Sequence, residues 1–354
     1  MSKLQFVFAH GLSGWGSYDS AYRRMPYWGM RGGDLIAWLR GEGFDCFAAS
    51  VAPTGSAWDR ACELYAQLSG RRVDYGLAHS RRCRHERFGR DFSACPLIPS
   101  WSEETRLVLL GHSFGGTTVR LFSELVARGD SEERAAGADS PLFLGGMGER
   151  IHSVVTLASP MNGTTAYDLF EDPGCHPENV KVPPWSRALA RAMALGTSPR
   201  RDGRDDRDWD MHVDNALALN SRLRELPGVY YSSVPCSYTE AQADGTHKPR
   251  RGIEPLFVMR STQIGAYTGR TKGGVTLDEA WRENDGLVNT VSAVAPLGAP
   301  AKPLDRENLQ TGMWNVFPAY DGDHMALQGG LTHRHDIRFF YRELLTLISG
   351  TAQE

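Results

Sequence analysis

The fold class predicted by this 354-residue sequence is α/β, a mostly parallel, doubly wound sheet with helices on both faces. Three observations predict it. Short strand-like segments rich in apolar residues recur at 4–9, 44–51, 107–110, 151–158 and 229–234, and the run at 107–110 is continuous rather than alternating, as suits a strand buried on both faces. Stretches of helical period lie between them. And one such run passes through Gly111-His112-Ser113-Phe114-Gly115-Gly116 straight into a helical stripe of Val119, Phe122, Leu125 and Val126, with Gly129 placed to end it.

In chain order, the strand at 4–9 runs into a glycine-dense loop, His10-Gly11-Leu12-Ser13-Gly14-Trp15-Gly16. A helix over 31–42 and a strand over 44–51 follow, giving β-loop-α-β. Residues 52–95 form an excursion: a helix over 58–68, then a basic, His-bearing stretch to Arg90 too poor in apolar residues for sheet core. After the unit around Ser113, the strand at 151–158 ends in Ser159-Pro160-Met161-Asn162-Gly163. The segment 164–209 changes character, with Pro173, Pro177, Pro183 and Pro184, a short helix bearing Trp185, Leu189 and Met193, and a mixed-charge run over 200–208 that reads as a solvated loop. A helix over 210–226, the strand at 229–234 and an amphipathic helix over 336–349 complete the chain. No repeat is visible, and a sheet assembled from both ends predicts one domain over 1–354.

Composition narrows the function. A net charge of −3 gives no basis for a nucleic-acid or anionic-membrane partner. No apolar run approaches the roughly 18 residues of a membrane span. The run at 4–9 is too short for a signal core, so a cytoplasmic protein, or the mature form of a secreted one, is expected. Six scattered cysteines (Cys46, Cys62, Cys83, Cys95, Cys175, Cys236) predict reduced thiols, Cys46 and Cys62 in the core and Cys83 in a basic, more reactive setting.

Ser113 lies on the turn between strand and helix, where flanking glycines permit the sharp backbone reversal that lifts a hydroxyl above the sheet edge as a nucleophile. A serine hydroxyl needs a base to take its proton and a carboxylate to hold that base. In chain order Ser, Asp, His, the late histidines His324, His333 and His335 qualify. His324, in a short polar loop after the apolar stretch 313–317, is preferred, because His333 and His335 flank the last helix as caps or surface residues. For the acid, Asp285 sits in a turn that Gly286 permits, while Asp278 and Asp305 look like capping or surface carboxylates. The backbone N–H groups of Leu12, on the glycine-rich loop, and Phe114, after the nucleophile, are the predicted oxyanion donors.

Taken together, HGLSGWG, YWGMRGGD, WDRACELYAQL, VDYGLAHSRRCRHERFGR, GHSFGG, ASPMNGTT, ENDGLVNT and GMWN with GDHM give a sequence that resembles the zinc-containing bacterial lipases of staphylococcal and thermoalkalophilic type, on the α/β-hydrolase fold. The resemblance runs from His10 to the terminal helix. It implies Ser113, Asp285 and His324 as a catalytic triad with Leu12 and Phe114 at the oxyanion hole, acting on carboxylic esters of the triacylglycerol class. It also implies a structural zinc held by Asp59, His79, His85 and Asp210 in the excursion 52–95, a closed four-coordinate shell with no place for catalytic water. Without the resemblance, two histidines six apart among arginines read as solvated, and Cys83 between them as a competing thiolate. Two departures stand out. The resemblance implies a calcium site using a Glu soon after the catalytic His, but Ala326 holds that position and no carboxylate lies between His324 and Asp336, so calcium is expected to be absent. Where those lipases carry a long helical lid, 164–209 is shorter, proline-broken and polar, which predicts an open site for short to medium acyl esters, possible polyesterase activity included; an inactive binding protein on the same fold is the alternative.

Overall fold

The computed structural model describes residues 3–171 and 210–352. Seven strands form the central sheet: β1 (Lys3–Ala9), β2 (Cys46–Ala49), β3 (Thr105–His112), β4 (Ile151–Leu157), β5 (Tyr230–Val234), β6 (Ala301–Pro303) and β7 (Trp314–Val316). Their order is β6-β7-β5-β4-β3-β1-β2, and every pairing is parallel. Burial explains the apolar character of these strands: every residue of β4 is buried, and so are the last six of β3. The three-residue β6 was not anticipated from the sequence. It lies at the sheet edge and ends in Pro303, which lacks the N–H a central strand must donate.

Helices α1 (Leu35–Gly41) and α6 (Arg338–Gly350) cover one face, where Leu35, Leu39, Tyr341, Leu345 and Ile348 share a core with Phe6, Phe8 and Leu110. On the other face α2 (Ala57–Ser69) and α4 (Phe114–Arg128) bury Ala61, Leu64, Val119, Phe122 and Leu125 against Val7, Leu107 and Leu109. The chain enters α2 through a Ser56 side-chain cap on the Asp59 N–H and leaves it at Gly70, whose φ of 61° is a left-handed stop. Because β2 and β3 lie on either side of β1, the chain switches direction there, and the loops after β1 and β3 open the crevice where α/β sheets bind ligands.

The excursion is a small unit of its own, with α3 (Leu77–Cys83) inside an antiparallel hairpin of Arg72–Asp74 with Phe88–Asp91. The helix expected over 210–226 is shorter, α5 (Val213–Asn220). Its flanks are committed elsewhere: Asp210 accepts the Ala57 N–H at 2.7 Å, His212 meets Asp168 at 2.8 Å, and the Asn220 side chain donates to the Met161 carbonyl. The short helix of Trp185, Leu189 and Met193 and the charge run 200–208 lie outside the described residues. Cys46, Cys62, Cys83, Cys95 and Cys236 are free thiols, while Cys175 also falls outside them. Among the described residues no helix is long and apolar enough to cross a membrane.

Three histidines are built into this core in the neutral form. His10 donates from Nδ1 to the Gly11 carbonyl and accepts the Val51 N–H at Nε2, and burial aided by the Arg60 charge pushes its pKa down to about 3. His112 donates from Nε2 to the His324 carbonyl at 2.8 Å, which leaves Nδ1 to accept the Tyr27 hydroxyl at 2.7 Å; burial pushes it down to about 3 as well. His152, beside Arg106, is lowered by burial to about 4. Glu63 works the other way, raised by burial to about 7. An unfolded chain binds a proton at each histidine below its ordinary value of 6.5, whereas the folded chain refuses it until pH 3 to 4. Stability is therefore full above pH 6.5 and is lost as pH falls toward 4. Three histidines against one carboxyl leave an uptake of about two protons on unfolding, worth about 2.7 kcal/mol per pH unit at most. Urea unfolding at a series of pH values between 6.5 and 4.5 checks the slope, and His112→Asn should flatten it.

Candidate active site

Ser113 sits between the last residue of β3 and the first of α4 with φ 55° and ψ −130°, a region that costs a non-glycine residue on the order of 1–3 kcal/mol. Close packing enforces it. A Cβ on Gly115 would lie 2.3 Å from the Ala9 carbonyl oxygen, so α4 can start beside β1 only with glycine there. The Ser113 N–H is tied to the Leu157 carbonyl at 2.8 Å. The hydroxyl thus stands at the carboxyl end of the sheet, as the glycine pattern predicts.

Three loops bring the other predicted residues to it. His324 Nε2 lies 2.8 Å from Ser113 Oγ, and its Nδ1 lies 2.8 Å from Asp285 Oδ2. The three residues are 6%, 4% and 1% exposed for Ser113, His324 and Asp285, so these contacts operate largely out of water. Asp285 is fixed in turn: its Oδ1 accepts the N–H groups of Leu287 and Val288 at 3.0 and 2.7 Å, and its carbonyl accepts the His324 N–H at 2.8 Å. With its carboxylate aimed at Nδ1, the imidazole presents the free lone pair of Nε2 to the serine hydroxyl. The rivals stay apart, since Asp278 caps the turn at Ala280 and Asp305 accepts the Glu307 N–H.

The loop after β1 packs directly on Ser113. A Cβ on Gly11 would be 2.7 Å from that of Ser113, so the loop runs against Ser113 just before Leu12. Sequence reasoning missed what holds this loop. Arg60 of α2, wholly buried, donates to the carbonyls of His10 and Ala52 and to the Thr118 hydroxyl, and its guanidinium lies over the Phe114 ring at 5.1 Å. A lone arginine on the apolar stripe of Ala61, Leu64 and Tyr65 was the available signal. Tyr27 was missed too: its hydroxyl accepts the Gly11 N–H at 3.0 Å while donating to His112, joining the loop to the strand beneath the nucleophile. The segment after Gly163 locks to the acid loop, with Thr164 donating to the Leu287 carbonyl and the Thr165 N–H to Asn289.

On the outer side of α2 the predicted metal residues converge. Asp59 Oδ1 lies 3.3 Å from His79 Nε2 and 3.8 Å from His85 Nε2. His85 donates its Nδ1 proton to the Glu86 carbonyl at 2.8 Å, which turns a lone pair at Nε2 toward the carboxylate. Two acceptors facing each other at that range call for a cation between them, so the donor set fits a metal ion. Asp210 is brought to the same helix end by the Ala57 N–H, and with His79 it lines a cavity of about 590 Å³. Cys83 stands close, its Sγ 3.8 Å from His79 Nδ1, and the ligand atoms of His79, Cys83 and His85 lie within 4.8 Å of one another. At the position of the calcium-site Glu, Ala326 is buried in a short turn, and the backbone downstream of His324 is satisfied by Glu254 instead.

Residues 2–176 match a family model described as "Lipase-like, C-terminal domain". The sequence is 30% identical to Lipase 2 of Staphylococcus aureus over 93% of this chain and 51% of that protein, so the chain spans about half the length of the curated relatives it matches. Among solved structures, lipase 1 from Pelosinus fermentans is 30% identical with a TM-score of 0.78, each chain covered to 98%. The Staphylococcus hyicus lipase superposes with a TM-score of 0.82 at 28% identity, covering 99% of this chain and 97% of the other. EstA from Clostridium botulinum gives 0.85 at 28% identity, over 99% and 88%. With fold, elbow and length of match in agreement, the chain belongs to the bacterial lipase family of the staphylococcal type, on the α/β-hydrolase fold.

Proposed function

We propose that the chain is a serine carboxylic-ester hydrolase of lipase type, with Ser113 as nucleophile, His324 as general base and acid, and Asp285 as the carboxylate that orients His324. The observation that carries this reading is the unbroken run from Ser113 Oγ through both nitrogens of His324 to Asp285, at 2.8 Å on each side. As Ser113 attacks the ester carbonyl, its proton passes to His324 Nε2, and buried Asp285 stabilises the imidazolium at Nδ1. The oxyanion forms against the N–H groups of Leu12 and Phe114. His324 then returns the proton to the leaving alcohol, and the same base activates the water that frees the acid and restores Ser113. An inactive binding protein would have no need to hold a strained serine against an oriented imidazole.

Asp59, His79, His85 and Asp210 are the residues we assign to a structural zinc, which when bound supplies cross-linking rather than catalysis, because four protein ligands leave no open position. What supports it is the facing pair of His85 Nε2 and Asp59 Oδ1. The ion would join the excursion 52–95 to the end of segment 164–209. That segment, placed as a reduced lid, lies mostly outside the described residues, and its proline-broken, polar sequence supports an open site taking short to medium acyl esters, with polyesters a possible extension of the same chemistry.

Ser113→Ala should lower kcat on p-nitrophenyl butyrate by a factor on the order of 10⁶ with the fold intact, and Asp285→Asn by a factor on the order of 10⁴. Substantial turnover by the first, or a greater loss from Asp278→Asn than from Asp285→Asn, would refute these assignments. Elemental analysis of protein never exposed to chelator should give one zinc per chain, and its removal should lower the melting temperature while the rate at moderate temperature is retained. Protein that carries no zinc, or whose melting point ignores chelator, would count against the metal. For the lid, hydrolysis of tributyrin should already be appreciable below its solubility limit. A steep rise only when the emulsion forms would assign 164–209 the work of a closing lid.

A further inference from the structure

The polypeptide that carries His324 is irregular from Asp323 to His333, apart from the one-turn helix Ala326–Gln328. One residue grips it at both ends. Glu254, 1% exposed, gives its own N–H to Asp323 Oδ2 at 2.7 Å, and Asp323 is the neighbour of His324. Its carboxylate reaches the far end, where Oε1 accepts the consecutive N–H groups of Leu331, Thr332 and His333 at 2.7, 2.6 and 3.2 Å, and Oε2 accepts the Thr332 hydroxyl. Three successive amides aimed at one oxygen form an anion-binding concavity, and here the anion belongs to the protein. Burial alone would raise the carboxyl, but the bonds from Thr332 and the amides around it hold it below its ordinary range, so it is charged when it binds them.

The same segment also touches the reacting groups. Directly after Glu254, the turn Pro255–Phe257 sets the Phe257 ring edge-on to the His324 imidazole at 6.2 Å. Phe257 also packs against the acid loop, since a Cβ on Gly286 would lie 2.7 Å from its Cβ.

Resting on the hydrolase reading above, we propose that Glu254 is a positioning residue for the base: by closing the loop 323–333 onto itself it keeps His324 between Ser113 and Asp285. It touches neither substrate nor reacting atom. Its effect is on the fraction of molecules, and of time, in which Nε2 is within reach of the hydroxyl. Loosening the loop should therefore slow acylation without weakening ester binding.

The test compares Glu254→Gln, Glu254→Ala, Thr332→Val and Ser113→Ala in the full chain, with p-nitrophenyl butyrate turnover and with titration of reactive serine by a p-nitrophenyl phosphonate. Per titrated site, Glu254→Ala should lose on the order of 10² in kcat, with KM changed less than about threefold. Glu254→Gln keeps an acceptor but not the charge and should recover part of that loss, with Thr332→Val nearer wild type. Hydrogen exchange at 331–333 should quicken in the same order. Wild-type kcat per titrated site in both Glu254 variants, or a KM rise that accounts for the loss, would overturn the inference and leave the hydrolase reading standing. Should Glu254→Ala fail to fold, Glu254→Gln and Thr332→Val carry the test by the same criteria. Turnover retained by Ser113→Ala would sink both at once.

Discussion

Everything at this site depends on the contact between Gly11 and Ser113. Two loops leave the sheet at its switch point, one after β1 and one after β3, and they meet with no room for a methyl group between them. Ser113 accepts a φ of 55° because the strand behind it, the helix after it and the loop beside it leave its backbone no other path. The strain is offset by ordinary core packing of β1, β3 and α4. His324 Nε2 can be aimed at the hydroxyl only once it is fixed in that way.

Much of the fold and the turn that carries Ser113 could be read from the sequence because both are local. The uninterrupted apolar run at 107–110 marks a strand buried on two faces, and the Ser113 elbow is a strand-turn-helix within some twenty residues. Asp285 was legible through Gly286, whose φ of 108° the turn needs. What stayed hidden is long-range. Nothing around Glu254 in the sequence announces that it bonds amides nearly eighty residues away, and Arg60 looks like one more charge until the carbonyls it meets are seen. The helix expected over 210–226 is interrupted for a related reason: local period favoured it, but His212 is extended, with ψ 142°, where its side chain meets Asp168, and the helix restarts at Val213. Edge strand β6 carries too few apolar residues to signal itself.

The three predicted loops are fastened by different means. The β1 loop is clamped by a buried cation, Arg60, on its carbonyls; the Asp285 turn by amides on its carboxylate; the His324 loop by a buried anion, Glu254, on its amides. In each case charge meets backbone dipoles of the opposite sense, which satisfies polar groups that irregular chain would otherwise bury unpaired. Loops held in this way can be as exact in position as strands while still reaching over the sheet edge.

Helix α2 gives the arrangement its last connection. Asp59 points outward to His79 and His85, and Arg60, one residue on, points inward to the carbonyl of His10 and the hydroxyl of Thr118. Successive residues of a helix are about 100° apart, so one element can face the histidine cluster and the β1 loop at once. The Ser56 cap and the Gly70 stop fix where the helix begins and ends, and therefore which residue faces which side. A slip of one residue in one direction would turn Asp59 toward the β1 loop and Trp58 toward the histidines, and in the other Arg60 toward the histidines and Ala61 toward the β1 loop, so either slip loses the charge match at both places. The register of α2, set by its caps and by the apolar stripe of Ala61, Leu64 and Leu68, is thus a condition shared by the Asp59–His79–His85 cluster and the loop after β1.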